Sequence, residues 1–210
     1  NVACAAAVVA KPPWSLQVKL IGSIGQDQDA DWVLNELDDK GVSTEYLDHD
    51  STAQTCLCII LVEPNGHRAI ISQPNRLNYQ SIDWQNLVDK QKQQHLHVDG
   101  FHALGVLNEF RQAHQSGCTT SIDIDELVDD YFTAKKFRSL LTVFDVVFIN
   151  RQNAGRLFGH EDCEDWSRQL SDWAKHTNTL FLLTLGAQGV VLIEANQKAL
   201  SIAAIDVTCV

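Results

Sequence analysis

A few short polar clusters hold the residue types that could do chemistry. The first is Thr184-Leu185-Gly186-Ala187-Gln188-Gly189, set between the apolar runs Leu180–Leu183 and Val190–Ile193. Two strands this close, joined through glycines, make a tight turn whose backbone can approach a ligand closely. Glycine also lets successive N–H groups turn toward an anion without a Cβ clash. Thr184 adds a hydroxyl at the strand end. The other clusters follow apolar runs further upstream: Gly22 and Gly25, Asp99 and His102, Asp123 and Asp125, Asn150 and Asn153. In open α/β sheets, polar residues just past strand C-termini line the ligand crevice. Each cluster also has an ordinary structural account. Glycines suit turn geometry, and aspartate or asparagine at such ends caps helices, the better account for Asp125.

Two further sets read as structural. His95 and His97 share one strand face and raise the question of a metal, but no third ligand sits at metal spacing. They read as packed or solvent-facing. The acidic Glu126-Leu127-Val128-Asp129-Asp130 stretch reads as a solvated helix face. The six cysteines are scattered, with none in a CxxC pair. Cys56 and Cys58 are two apart on one strand face and poorly placed to bridge each other. Cysteines spread through apolar runs suit a reducing cytoplasm, which sets the expected location.

The elements that must position these residues alternate. Asn1–Lys11 reads as a small-residue helix ended by Pro12-Pro13. Leu16–Ile21 reads as a strand and Gly22–Gly25 as a turn. Asp27 caps a helix running to about Lys40, with Gly41 closing it. Val42–Leu47 is extended. Thr55–Glu63 and Arg68–Gln73 form a hairpin about Pro64-Asn65-Gly66, since Asn-Gly between β-rich runs is a strong hairpin signal. From Ser81 the pattern is helix Ile82–Lys92, strand His95–Val98, helix Leu104–Gln115, strand Cys118–Asp123, helix Glu126–Leu140, strand Val143–Ile149, helix Asp162–His176 and strand Leu180–Thr184. Repeated βα units imply a mainly parallel sheet covered on both faces.

Composition narrows the partners. The chain has 210 residues, 45% of them hydrophobic, enough for one sizeable core. A net charge of −11 with no basic tract argues against nucleic acid or an anionic membrane as the main partner. An anionic ligand needs only local donors. No apolar run approaches the roughly 20 residues of a membrane span, and no secretory signal is visible. The chain begins at Asn1 and contains no Met, so a fragment of a longer protein is expected.

Taken in order, these motifs resemble the ribokinase-like carbohydrate kinases of the pfkB type over nearly the whole chain. Asn1–Lys11 resembles the helix that follows that family's substrate-binding glycine pair. Leu20–Gly25 with Asp27 resembles its IGxxGxD turn. Thr52–Gln73, with PNGHRAII, resembles its substrate lid. Asp123 sits where the family has an Asp after a central strand, Asn150–Asn153 takes the NxxE position, and Thr184–Gly189 matches TxGxxG. The resemblance implies a three-layer α/β/α fold with a mainly parallel central sheet, a single domain over residues 1–210 and a small β lid of about residues 52–74. It implies an ATP-dependent sugar kinase using Mg²⁺, with a homodimer expected through the lid strands. Asn1, Asp99 and Asp123 are the expected sugar-side residues. Asn150, Thr184, Gly186 and Gly189 are the expected nucleotide-side residues.

The departures shape the rival readings. The glycine pair and the strand before it are absent from this chain. Asn153 stands where the family has a Glu tied to Mg²⁺, so Asn153 carries any metal expectation. Ala30 stands where the IGxxGxD segment usually has a Gly. The GAGD segment, with the anion hole and the catalytic Asp, is expected after Val210, so no catalytic base is assigned within the chain. A nucleoside kinase of the same fold is the near alternative. The hairpin Thr55–Gln73 carries no aromatic residue to stack a base, which favours a sugar. A non-catalytic binding or regulatory protein on the same scaffold is the rival from another class.

Overall fold

The structure is a computed structural model that describes residues 2–10, 16–64, 68–72, 79, 82–89, 93–125 and 127–205. The fold divides into two compact units, Asn1–Asp83 and Trp84–Val210. The first unit begins with helix α1 (Val2–Val9), strand β1 (Val18–Ile24), helix α2 (Gln28–Asp39) and strand β2 (Val42–His49). β1 and β2 pair in parallel, with Val18 opposite Val42 and Ile24 opposite His49. Asp27 caps α2 as expected, its side chain accepting from the Ala30 N–H at 2.9 Å. Of the stripe expected for α2 from Trp32, Val33, Leu34 and Leu37, only Leu37 is buried, together with Ala30, and Trp32 is 68% exposed. The expected turn at Gly22–Gly25 is largely strand instead, because β1 continues to Ile24.

Strands β3 (Cys58–Val62) and β4 (Arg68–Ser72) form an antiparallel hairpin, with Ile60 opposite Ile70. Its Asn65-Gly66 turn lies outside the described residues, as do Asn1 and Pro12-Pro13. Every residue of β3 and β4 is exposed, so both faces of this ribbon stand open despite Ile59, Ile60, Leu61, Val62, Ile70 and Ile71.

The second unit holds the main core. Helix α3 (Trp84–Leu87) leads to strand β5 (His95–Asp99), helices α4 (Gly100–Ala103) and α5 (Leu107–Gln115), and strand β6 (Thr119–Asp123). Helix α6 (Ala134–Leu140) precedes strand β7 (Val146–Asn150), followed by helices α7 (Arg151–Phe158) and α8 (Cys163–Thr177). Strands β8 (Leu180–Thr184), β9 (Val190–Ile193) and β10 (Leu200–Ile202) complete the described part. One six-stranded sheet runs β10-β9-β8-β7-β6-β5. β5 to β8 are parallel, while β9 and β10 are antiparallel additions at one edge.

Burial alternates along β7 and β8, with Val147 and Ile149, and Phe181 and Leu183, buried, while β6 buries Thr120, Ser121 and Ile122 in a row. Helix α8 packs on β8 and β9, burying Trp166, Leu170, Trp173 and Ala174. Each fully buried large side chain of this kind contributes roughly 1.5–3 kcal/mol.

Four helical expectations change. Among its described residues, Ile82–Lys92 contains only the four-residue α3. Leu104–Gln115 begins its regular helix at Leu107, after the separate short α4. Glu126–Leu140 breaks into a 3-10 turn at Asp129–Tyr131 and α6, which Thr133 caps by accepting from the Lys136 N–H. Helix α7 has no counterpart in the sequence reading. It is short, and its buried residues Asn153, Ala154 and Leu157 make a stripe too brief to show a clear period.

Candidate active site

In the second unit, four parallel strands end side by side. Asp99 lies opposite Asp123 across β5 and β6, and Asn150 lies opposite Thr184 across β7 and β8. Four of the expected site residues therefore share one sheet edge, where an α/β fold binds its ligands. Asp99 is exposed and caps α4, its Oδ1 accepting from the His102 N–H at 2.8 Å. Asp123 is half-buried, and its Oδ1 accepts from the Asp125 N–H at 3.1 Å.

Asn150 caps α7, its Oδ1 accepting from the Asn153 N–H at 2.8 Å. Its Nδ2 donates to Asp125 Oδ1 at 3.2 Å, and Asn153 Nδ2 donates to the same oxygen at 3.0 Å. Asn153 is 2% exposed, and its Oδ1 accepts from Arg156 at 3.0 Å. Arg156 also pairs with Asp129 and lies 3.8 Å from the centre of the Phe132 ring. The acidic stretch read as a solvated face thus contributes a tether. Asn153 sits in a satisfied amide network, with a cation already on its oxygen.

The turn after β8 is a 3-10 turn at Gly186–Gln188. It is closed by Leu185 N–H donating to Gly189 O at 2.8 Å and Gly189 N–H donating to Gly186 O at 2.9 Å. Its two glycines differ. A Cβ on Gly189 would lie 2.0 Å from Ile202 O and 2.7 Å from Ala204 N. That glycine is needed by the chain's own packing. Gly186, with φ of +61°, has open space where its Cβ would be. Arg151 donates to Gln188 Oε1, tying the start of α7 to this turn.

A cleft of about 970 Å³ runs along these elements. Its walls include Asn150, Arg151, Arg156, His160, Thr184 and Gly186, with Glu161 as the one carboxylate. Three of these, Arg151, Arg156 and His160, come from α7 and the residues just after it, so missing that helix meant missing them. The available signal was Asn150 with Asn153 as a cap, followed by a cation three residues on. In a chain of net charge −11, this wall carries two arginines, Arg156 already paired with Asp129 and Arg151 bonded to Gln188. The family model described as pfkB family carbohydrate kinase matches residues 1–210. The chain belongs to this family.

Solved structures agree on the pfkB architecture. The adenosine kinase from Sinorhizobium meliloti superposes with a TM-score of 0.80 at 19% identity, covering 100% of this chain and 63% of that one. The ribokinase from Giardia lamblia gives 0.76 at 17% identity, covering 97% and 64%. The fructokinase from Vibrio cholerae, solved with fructose, ADP and calcium ion, gives 0.73 at 19% identity, covering 99% and 68%. These likenesses establish a ribokinase-like α/β fold with a mostly parallel central sheet. The chain spans about two thirds of the length of these kinases.

For a pfkB kinase the metal question falls on the carboxylates at this edge. Among the described residues, no group of three or more His, Cys, Asp or Glu side chains is arranged to hold an ion. Mg²⁺ commonly needs only one or two carboxylates, with the rest of its shell from phosphate and water. Asp125 fits that role: it is exposed, and its Oδ1 is fixed by two amide donors. Among the described residues, no helix is long and apolar enough to cross a membrane.

Proposed function

We propose that the complete protein is an ATP-dependent carbohydrate kinase, transferring the γ-phosphate of ATP to a hydroxyl of a sugar or sugar derivative. The observation that carries this reading is the cleft beside β7 and β8. Its open glycine turn, strand-end hydroxyl and two arginines support an anion-binding role for this wall in an otherwise acidic chain. Phosphoryl transfer needs positioning and charge stabilisation more than covalent help from the protein. In this reading Thr184, the backbone at Gly186, Arg151 and Arg156 hold the phosphates, and Asn150 fixes the start of α7 beside them. Gly189 shapes the turn. Asp99 and Asp123 accept hydrogen bonds from the hydroxyls of the acceptor. Mg²⁺ arriving with the nucleotide would be held by Asp125 and would neutralise phosphate charge.

Residues of about 52–74 are read as a lid. Two open apolar strands need a cover, and exposed strand edges invite pairing with another chain. A homodimer through β3 and β4 supplies that cover. The described lid strands carry no aromatic side chain on which a nucleobase could stack, which supports a sugar over a nucleoside.

The deciding experiment is ADP release by the complete protein with a panel of sugars, sugar phosphates and nucleosides. Sugar-dependent turnover is expected. Turnover with nucleosides alone moves the acceptor to a nucleoside, and none with any acceptor leaves a binding protein on the kinase scaffold. Gly186→Val should weaken ATP binding in a calorimetric titration while circular dichroism stays unchanged. Unaltered affinity would count against the nucleotide assignment.

A further inference from the structure

Gly100 follows Asp99 at the end of β5 and is buried as the first residue of α4. A Cβ on it would lie 2.2 Å from Asp125 O, 2.8 Å from Leu127 N and 3.1 Å from Ile124 C. All three neighbours are backbone atoms of the segment that leaves β6. A backbone atom has no rotamer that could relieve such a clash. The φ of Gly100 is not positive, so its conformation alone would admit other residues. The close approach of two backbones is what requires a glycine here.

The segment that Gly100 meets is pinned from its other sides. The Ile124 N–H donates to Phe148 O at 3.1 Å, which ties the segment to β7, and the Leu127 N–H donates to Ile124 O at 3.2 Å. Ile124 and Leu127 are buried. The Asp125 N–H donates to Asp123 Oδ1, and Asp125 Oδ1 accepts from both Asn150 and Asn153. Asp125 is therefore exposed and yet fixed. Amides hold its carboxylate from the α7 side, and Gly100 meets its carbonyl from the β5 side. Asp99, one residue before Gly100, has its own carboxylate held by the His102 N–H. The contact at Gly100 thus sets the spacing between the strand end that carries Asp99 and the segment that carries Asp125.

We propose that Gly100 is a positioning residue for phosphoryl transfer, holding the acceptor-side Asp99 at a working distance from the metal-side Asp125. This deepens the kinase reading and rests on it for the roles of the two carboxylates. Gly100 is buried and acts only through these neighbours. Transfer requires the acceptor hydroxyl and the phosphate to be aligned before reaction. Opening a 2.2 Å contact past 3.0 Å displaces the two segments by roughly 1 Å, and a misplacement of that size can cost roughly 10²-fold in rate. Each ligand would keep its own contacts on its own segment. Binding should survive a change at Gly100, and alignment should not.

The test has two arms on the complete protein. The first needs no turnover. The side-chain amides of Asn150 and Asn153 donate to Asp125 Oδ1, so their nitrogen-15 signals report where Asp125 stands. Gly100→Ala should shift both signals while circular dichroism stays unchanged. Unshifted amides in the folded variant overturn the proposal whatever the protein's activity. If Gly100→Ala does not fold, Ile124→Val removes one buried methylene from the same segment and leaves the glycine in place. It should shift the same two amides by less, and their constancy would overturn the proposal equally. The second arm is turnover with the sugar found in the panel. Gly100→Ala should lower kcat roughly 10- to 100-fold, with KM for sugar and for ATP unchanged. Calorimetry with ADP and Mg²⁺ should give the stoichiometry of the unaltered protein, which a loss of folded molecules would reduce. Unchanged kcat, or a raised KM alone, overturns the positioning role. Absent turnover in the unaltered protein strikes the kinase reading and leaves the amide signals to judge whether Gly100 places Asp125.

Discussion

At the scale of the residue, two positions show how one side chain can set local geometry. Asp27 uses both carboxylate oxygens. Oδ1 accepts from the Ala30 N–H at 2.9 Å and the Thr55 hydroxyl at 2.7 Å, while Oδ2 accepts from the Thr55 N–H at 2.8 Å. Gly25 makes this possible, since a Cβ there would lie 2.6 Å from Thr55 N. Hydrogen bonds from the Thr55 backbone, then its hydroxyl, then Ala30, hold the Asp27 carboxyl below the usual carboxylate range. A depressed folded pKa gives stability that is present above the unfolded value and lost as pH falls through the folded one. Asp27→Asn keeps one oxygen but presents an amide to a donor, so its Tm should fall at neutral pH. Its acid limb, followed by circular dichroism below pH 4, should be flatter than that of the unaltered protein. Gly189 gives the second case. Gly189→Ala should destabilise by more than the roughly 1–3 kcal/mol of backbone strain alone, or prevent folding, because the Ile202 carbonyl opposes a Cβ in addition to its φ of +91°. Gly186→Ala meets no atom and should cost only the roughly 1–2 kcal/mol of a left-handed residue. Equal losses for the two in urea titrations would contradict the packing account.

At the scale of the element, α7 is the piece on which the cleft depends. It is held by its asparagine cap and by the amide network of Asn153, Asp125 and Arg156. Asn153→Ala removes a buried amide from Asp125 and Arg156 together. It should destabilise by roughly 1–3 kcal/mol and release Arg156 from one of its tethers. Nucleotide affinity should fall with it, and ATP titration against a urea series separates the two effects. Strand ends and caps were legible from the sequence: Asp27, Leu180–Thr184 and Val190–Ile193 sit as their types require. A helix with a full stripe was legible too, as in α8, whereas α2 was legible through its Asp27 cap and not through its stripe. α7 was not, because eight residues with three buried positions give no period to read. Nor was the break before α6, where Thr133 caps a new helix inside an apparently continuous one.

At the scale of the whole molecule, the open ribbon of β3 and β4 is the feature that asks for a partner. Its exposed Ile60 and Ile70 face no other part of the described chain closely enough to be buried. If β3 and β4 form the proposed dimer contact, Ile60→Lys with Ile70→Lys should raise the dimer dissociation constant at least tenfold by sedimentation. The lid amides should lose hydrogen-exchange protection with it. A complete protein that sediments as a monomer at micromolar concentration would remove the idea.

Composition, strand alternation and turn chemistry are local, so the sequence by itself determined the alternating α/β order, the hairpin and the strand-end placement of Asp99, Asp123, Asn150 and Thr184. Those traits follow from each residue's neighbours in the chain. Tertiary structure alone decided which of the two glycines after Thr184 faces open space, because Ile202 ends a later strand and Ala204 lies just past it. It also decided that Asn153 is locked between Asp125 and Arg156 and that Asp129 reaches Arg156 across a gap of 27 residues. His95 and His97 make the same point. In sequence they are two histidines on one face, and only the parallel register brings the Thr119 and Ser121 hydroxyls within hydrogen-bond distance of their rings. Contacts between distant segments depend on packing the whole core, and no local pattern encodes them.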